Sequence, residues 1–145
     1  MQYNNSNRMI PLFENYCRQN QIDGKMITAD IDGKSLKLKV ASTPDSMMKG
    51  YSNSDEPKEG EGMIFIYPES APLYFWMKGV DFPLDIIFFD SAMNMVEYLT
   101  MEPCGSAREE DLPRYQSSKP ARFAVEVPAN WCESNKISKN CRLKF

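Results

Sequence analysis

Short apolar runs that alternate with polar positions dominate this chain, and they predict strands more than long helices. Two such runs, Lys25–Ile31 and Lys34–Val40, flank the dipeptide Asp32–Gly33. Asp-Gly between alternating runs is a strong hairpin signal, because both turn positions need a positive φ. Thr43 then suits the N-cap of a helix, and the Pro that follows suits its first turn. We therefore predict a β-hairpin followed by a short helix over residues 44–49, which the next glycine ends.

Further strands are indicated by runs rich in aromatic and β-branched residues, each bounded by Gly, Pro or Asp. The segment that follows Pro128 predicts a helical turn. The pattern indicates an α+β, β-rich fold: a mostly antiparallel curled sheet, small barrel or sandwich of about seven strands with two or three short helices. The further strands are expected at Met63–Tyr67, Leu73–Met77, Leu84–Phe89, Met95–Thr100, Arg122–Val127 and Arg142–Phe145.

The length of 145 residues favours one domain, with a core large enough to fold alone. Residues 1–22 are expected to form an N-terminal arm that carries a short amphipathic helix over residues 11–19. Residues 23–145 are expected to form the domain.

Composition narrows the partners and the chemistry. The net charge is −3 and no basic stripe is present, which argues against nucleic-acid binding. The chain has no apolar run of about 18 residues and no apolar leader segment, so we predict no membrane partner and a cytoplasmic location. Four scattered cysteines and no histidine predict reduced thiols, no metal and no cofactor. Any Cys–His or Ser–His catalytic pair is excluded.

Charged residues interrupt the most apolar part of the chain. Lys78 and Asp81 lie where the predicted strands Leu73–Met77 and Leu84–Phe89 meet, and Asp85 lies inside the second. A carboxylate there must find donors, so Asp85 either caps backbone amides or pairs with Lys78 as a structural lock. Alternatively, Lys78 serves a small polar pocket as a cation or a base, and Asp85 orients it.

The long irregular segment 101–120 supplies further candidates. A loop of this length on a small sheet is typical of a functional segment. We predict a ligand-binding site in the cleft between the Met77–Pro83 connection and this loop. Cys104 is either a small buried anchor or a reactive thiol. The loop's candidate residues are Cys104, Arg108, Arg114, Tyr115 and Ser117.

Aromatic residues allow two interpretations. Tyr74, Phe75, Trp76 and Tyr115, with serines nearby, either pack in a core or line a groove suited to sugars or peptides. Glu126 alternates with apolar neighbours in its predicted strand, so we expect it to face solvent or to pair with a lysine.

Several motifs, in order, resemble the DUF192 family over roughly residues 38–145. The Pro-Leu-Asp within the third of them is similar to the family signature. Gly79 departs from the usual Asn, Tyr51-Ser52 from Leu-Met, and Asn140-Cys141 from Gly-Asp. The matching segments are VASTPDSMMKGY, GEGMIFIY, FWMKGVDFPLDIIFFD, EPCGS and RYQSSKPARFAVEVPANW.

The resemblance implies a compact β-rich α+β fold and no established activity. Family members are often exported or lipid-anchored, whereas no export signal is found here. Three functions stay open. The first is a non-enzymatic module that binds a small molecule or a protein. The second is a small hydrolase or transferase that uses Cys104, or Lys78 with Asp85. The third is an accessory protein that binds a partner through its acidic loop 52–62 and its arm.

Overall fold

Strands form most of the regular structure in the computed structural model, which describes residues 22–105 and 108–145. The predicted arm helix lies outside these residues. The elements are β1 (Met26–Ile31), β2 (Lys34–Ala41), α1 (Pro44–Lys49), β3 (Glu61–Ala71), β4 (Tyr74–Phe75), β5 (Leu84–Phe89), β6 (Met95–Met101), a 3₁₀ turn (Glu109–Asp111), β7 (Tyr115–Gln116), β8 (Ala121–Pro128), α2 (Trp131–Ser134) and β9 (Leu143–Lys144).

Seven strands form one sheet in the order β6-β5-β8-β3-β2-β1-β9. Neighbouring strands are antiparallel except for the parallel pair β2 and β3. The two edges of the sheet also meet, because Met95 N donates to Cys141 O at 3.0 Å and Leu143 N donates to Met93 O at 2.9 Å. The sheet is therefore curled, and the predicted β-rich α+β class is confirmed.

Local sequence signals explain the first third of the domain. Asp32 and Gly33 have φ values of 54° and 80°, as the predicted two-residue hairpin turn requires. At the start of α1, Ser46 N donates to Thr43 Oγ1 at 3.2 Å, and Thr43 N donates to Ser46 Oγ at 3.1 Å. This reciprocal cap fixes the helix start, and Gly50 ends the helix.

Each face of the sheet carries its own apolar core. The enclosed face includes Leu38, Ile64 and Val125, whereas the other face includes Phe65, Phe88 and the small side chain of Ala124. α1 and the β4–β7 pair cover part of this second face. Strand β8 lies between β5 and β3, so its residues are buried on both faces.

The structure corrects the predicted strand Leu73–Met77. Its regular part is limited to β4, which pairs with β7 in a separate two-stranded sheet. It does not pair with β5, because β6 and β8 already occupy both edges of β5. The two apolar runs therefore do not form the strand pair that the predicted Lys78–Asp85 site assumed.

Candidate functional site

A cavity of about 330 Å³ lies on the second face, between the end of α1, β3 and β4, above β8. Volumes of this size accommodate small organic ligands. It is lined by Pro44, Met47, Met48, Lys49, Gly50, Tyr51, Ser52, Phe65, Tyr67, Tyr74, Phe75, Trp76, Val80 and Glu126.

Glu126 supplies the carboxyl group of this cavity. The alternation of β8 directs it to the same face as Ala124, and its direct neighbours across the sheet are Met63 and Ile86. Glu126 as a whole is only 5% exposed to solvent. A Cβ atom built on Gly50 would lie 3.6 Å from Glu126 Oε1. The glycine that ends α1 therefore lies directly against the carboxyl group, with no side chain between them.

The carboxyl group of Glu126 has no hydrogen-bond or ion-pair partner among residues 22–105 and 108–145. Burial raises its pKa from 4.5 to about 8. Desolvation is the cause, since a charged carboxylate loses its hydration there and gains no donor in return. At neutral pH the group is therefore mostly protonated and faces the cavity as an unpaired acid.

Three phenols share the cavity lining with this acid, the exposed Tyr74 and the half-buried Tyr51 and Tyr67. Burial, and then the negative charge of Glu126, raise the pKa of Tyr67 to about 12. The pKa of Tyr51 is raised by burial and by the charges of Glu126 and Glu61. Both hydroxyl groups thus remain protonated and can donate or accept hydrogen bonds. The arrangement offers a carboxyl, three phenols and aromatic walls, which suits binding.

The segment after α1 is held against the turn that follows β4. Ser52 Oγ donates to Lys78 O, and Asn53 N donates to Gly79 O at 2.9 Å. Gly79 has a φ of 70°, a conformation that glycine and asparagine adopt most readily. This backbone requirement accounts for a glycine at position 79. The contact positions Tyr51 beside the cavity.

Lys78 lies outside the cavity lining. Its Nζ donates to Glu109 Oε2 at 2.9 Å, in an ion pair whose two side chains are more than half exposed. Lys78 Nζ also lies 5.4 Å from the ring centroid of Trp76, and Arg114 Cζ lies 4.1 Å from it. Of the predicted ligand-binding residues, Lys78 and Arg114 therefore meet around one indole ring.

Asp85 is buried and does not pair with Lys78. It accepts hydrogen bonds from Thr100 Oγ1 at 2.8 Å, from Asn130 N at 3.1 Å and from Cys132 N at 3.0 Å. The last two donors belong to the start of α2, where Asn130 makes no side-chain cap. Asp85 thus caps this helix from β5, and the predicted Lys78–Asp85 pair is not formed.

The remaining predicted site residues have separate environments. Asp81 is exposed, and Cys104 is a half-buried free thiol. Tyr115 Oη accepts from Glu102 N at 3.2 Å, and the buried Ser117 Oγ accepts from Leu73 N at 2.9 Å, so both contacts hold the loop in place. A ligand-binding role for these residues stays a prediction. In the part of the chain that the structure describes, no group of His, Cys, Asp or Glu is arranged to hold a metal.

The structure also corrects the interpretation of Glu126. It was expected to face solvent or to pair with a lysine, but α1 and β4 cover this face of β8, and no lysine of the described residues forms an ion pair with it. Sequence reasoning did not single out Tyr51 or Tyr67 either. Their positions beside Glu126 depend on the packing of three separate segments, which no local pattern encodes.

No helix among the described residues is long and apolar enough to cross a membrane.

The fold is found in solved structures. A protein of unknown function from Novosphingobium aromaticivorans shares 20% identity with a TM-score of 0.71, and the match covers 83% of this chain and 85% of that one. A "putative transcription regulator" from Sinorhizobium meliloti shares 23% identity with a TM-score of 0.68, and the match covers 76% and 81% of the respective chains. At these identities the likeness shows the fold alone.

No curated protein matches the sequence of this chain significantly. The model of the DUF192 family, described as "Uncharacterized ACR", matches residues 27–145. That match includes every strand of the sheet except the first residue of β1, together with all residues that line the cavity. The resemblance found in the sequence is confirmed, and the chain belongs to the DUF192 family.

Proposed function

We propose that this protein is a non-enzymatic binding module that takes a small ligand in the cavity above Glu126. One observation carries the proposal: a buried carboxyl group without a partner faces a preformed cavity. An unsatisfied buried polar group costs about 1–3 kcal/mol. A ligand that supplies the missing hydrogen bonds would recover that free energy.

The chemistry of the cavity supports binding over catalysis. The described residues that line it include no cysteine, the chain has no histidine, and the hydroxyl of Ser52 is already hydrogen-bonded to the backbone. Asp85 is fully engaged in capping α2, and Lys78 is paired with Glu109. The enzymatic alternative therefore has no assembled pair of nucleophile and base to support it.

The description of the Sinorhizobium protein as a "putative transcription regulator" suggests, by analogy, a nucleic-acid partner. Two features of this chain argue against such a partner. The net charge of the chain is −3. The cavity is built around an acid and aromatic rings, whereas nucleic-acid binding relies on a basic surface. We propose a small-molecule ligand and no nucleic-acid partner.

A matched pair of exposed methionines tests the site. Met48 lines the cavity and is 70% exposed, whereas Met26 on β1 is 54% exposed and does not line it. Both tolerate substitution because neither is packed in a core. Met48→Trp should fill the mouth of the cavity, and Met26→Trp serves as the control.

The measurement is an NMR screen of small amines, alcohols, sugars and carboxylic acids against the wild-type protein and both variants. We expect ligands to shift the signals of Tyr51, Tyr67 and Gly50 in the wild type and in Met26→Trp. These shifts should be lost in Met48→Trp. Shifts that persist in Met48→Trp, or a screen without any shift at the cavity, would contradict the proposal.

A further inference from the structure

Resting on the proposed function, we propose that the ligand of the Glu126 cavity is a small organic ammonium ion. Its N–H groups would donate to the carboxylate, and its alkyl part would lie against the aromatic walls. The unpartnered acid, the aromatic lining and the lack of a paired cation among the described residues each point to this class.

The first step concerns the unpaired acceptors. Glu126 and the phenols of Tyr51, Tyr67 and Tyr74 line the cavity, and the acid accepts no hydrogen bond from any described residue. A protonated amine carries several N–H donors on one charged atom. Hydrogen bonds between an ammonium and a carboxylate are about twice as strong as neutral ones. A quaternary ammonium ion would leave these acceptors unpaired.

The second step concerns the walls. Phe65 and Phe75 meet edge to face with their ring centroids 5.0 Å apart, and Tyr67 meets Phe75 in the same manner at 6.5 Å. These three rings line the cavity together with Tyr51, Tyr74 and Trp76. Aromatic faces attract cations and repel anions, and this attraction strengthens where water is excluded. A carboxylate ligand is disfavoured by the same rings and by Glu126 itself.

The third step concerns cations already present in the protein. Lys49 lines the cavity mouth, but it is exposed and forms no ion pair with Glu126 in the described structure. Lys78 and Arg114 lie over Trp76 and do not line the cavity. Among residues 22–105 and 108–145 no cation is paired with the acid, which leaves it for an external one.

Binding of an ammonium ion should release a proton. Burial raises the pKa of Glu126 to about 8, so the free site is mostly protonated at pH 7. A bound cation favours the carboxylate, and the acid proton leaves to solvent, roughly 0.9 per site at pH 7. The other titratable groups near the acid are Tyr51 and Tyr67, which stay neutral, Glu61 on β3, and Lys49 and Tyr74 at the cavity mouth.

The test compares n-butylammonium with 1-butanol, which has the same number of heavy atoms and no charge. Dissociation constants come from NMR titration of the wild type, Glu126→Gln and Lys78→Ala. Gln preserves the shape of the protonated acid, so the variant should fold. Lys78→Ala removes a nearby charge that the proposal does not use. Calorimetry of n-butylammonium at pH 7 in phosphate and in MOPS, a bulky sulfonate buffer without a primary ammonium group, measures the proton released.

We expect n-butylammonium to bind the wild type at least about tenfold more tightly than 1-butanol, which is about 1.4 kcal/mol. Glu126→Gln should weaken amine binding by a similar factor and leave 1-butanol unchanged, and Lys78→Ala should match the wild type. The binding heats in the two buffers should differ by the number of protons released times the difference between the ionisation heats of the two buffers.

Two results overturn the ammonium assignment. Equal affinity for the amine and the alcohol, with no effect of Glu126→Gln, would leave a cavity that binds ligands of another class. The ammonium assignment would also be wrong if n-butylammonium did not bind, while other compounds still gave cavity shifts that Met48→Trp removes. The proposed function as well would be overturned only by the two screening results given for it, namely shifts that persist in Met48→Trp or no shift at the cavity.

Discussion

Glu126 is buried at the centre of the sheet, and its acid group lacks a partner in the described structure. For stability alone an apolar side chain of similar size would serve better, since it would leave no polar group unsatisfied. The unfavourable position is typical of residues kept for binding, where a local cost in folding is recovered when the ligand arrives. The same position makes the residue a source of pH-dependent stability.

Replacing Glu126 with Gln should change how stability depends on pH. The folded protein holds the Glu126 proton up to about pH 8, whereas the ordinary glutamate pKa is 4.5. Between these values the folded state binds more protons than the unfolded state. Raising the pH therefore lowers the free energy of unfolding, by up to about 1.4 kcal/mol per pH unit. The stabilising contribution is complete below about pH 4.5 and is lost above about pH 8.

Urea denaturation at several pH values between 5 and 9 checks this. The difference in unfolding free energy, wild type minus Glu126→Gln, should fall as the pH rises to about 8 and then level off. Glu109→Gln is the control, because its side chain is 57% exposed. Parallel pH curves for the wild type and Glu126→Gln would show that the acid is solvated or paired in solution.

Asp85 is the opposite case, a buried acid whose oxygens are occupied. Asp85→Asn replaces one acceptor oxygen by a donor that faces other donors, and Asp85→Ala leaves the amides of Asn130 and Cys132 unpaired. We expect each substitution to lower the free energy of unfolding by about 1–3 kcal/mol, measured in urea. Amine binding at the cavity should be unchanged in the folded variants. A loss below about 0.5 kcal/mol in both variants would be typical of a surface position.

Elements set by local sequence could be predicted, and elements set by distant packing could not. Asp32–Gly33 and Thr43 specify their turn and cap through their own backbone preferences, so the hairpin and α1 agree with the prediction. The partner of β4 could not be inferred, since an apolar run does not tell which strand edge is free. The candidate site depends on such packing: β8 was recognised as a strand, but nothing in its sequence shows that α1 covers Glu126.

Two glycines in the strand region are required for different reasons, one for its backbone conformation and the other for close packing. Gly33 has a φ of 80°, and a Cβ atom there would meet nothing within 4 Å. A Cβ atom on Gly62 in β3 would lie only 2.3 Å from the backbone oxygen of Glu126. Gly33→Ala should therefore cost about 1 kcal/mol from backbone strain, and Gly62→Ala about 3 kcal/mol or more from overpacking.

Urea denaturation of both variants ranks these effects. Because Gly62 lies where β3 approaches the backbone of Glu126, folded Gly62→Ala protein should also show altered NMR signals at the cavity, unlike Gly33→Ala. An equal or reversed order of the two stability losses would mean that β3 relaxes easily away from β8.

The whole molecule is held by two apolar cores and by the contact between its sheet edges. One core fills the enclosed face and the other lies beneath α1 and β4. The cavity occurs in the second core, where the covering elements are short and leave a gap above β8. The curled sheet supplies a rigid floor, and short covering segments supply the walls, which is a common way to place a site on a stable scaffold.

Stability should therefore be independent of covalent or metal cross-links. Cys104, Cys132 and Cys141 are free, and burial raises the pKa of the Cys141 thiol to about 11, which keeps it protonated and unreactive. We expect a reductant or a chelator to shift the melting temperature by less than about 2 °C.

Ile64→Ala serves as the sensitive control, because Ile64 is fully buried in the enclosed core. Its loss of about 2–5 kcal/mol should lower the melting temperature by on the order of 10 °C. A comparable drop with reductant would mean that a disulfide stabilises the protein, since breaking one typically costs about 2–5 kcal/mol. Such a bond would have to involve Cys17, which lies outside the described residues, or a second chain.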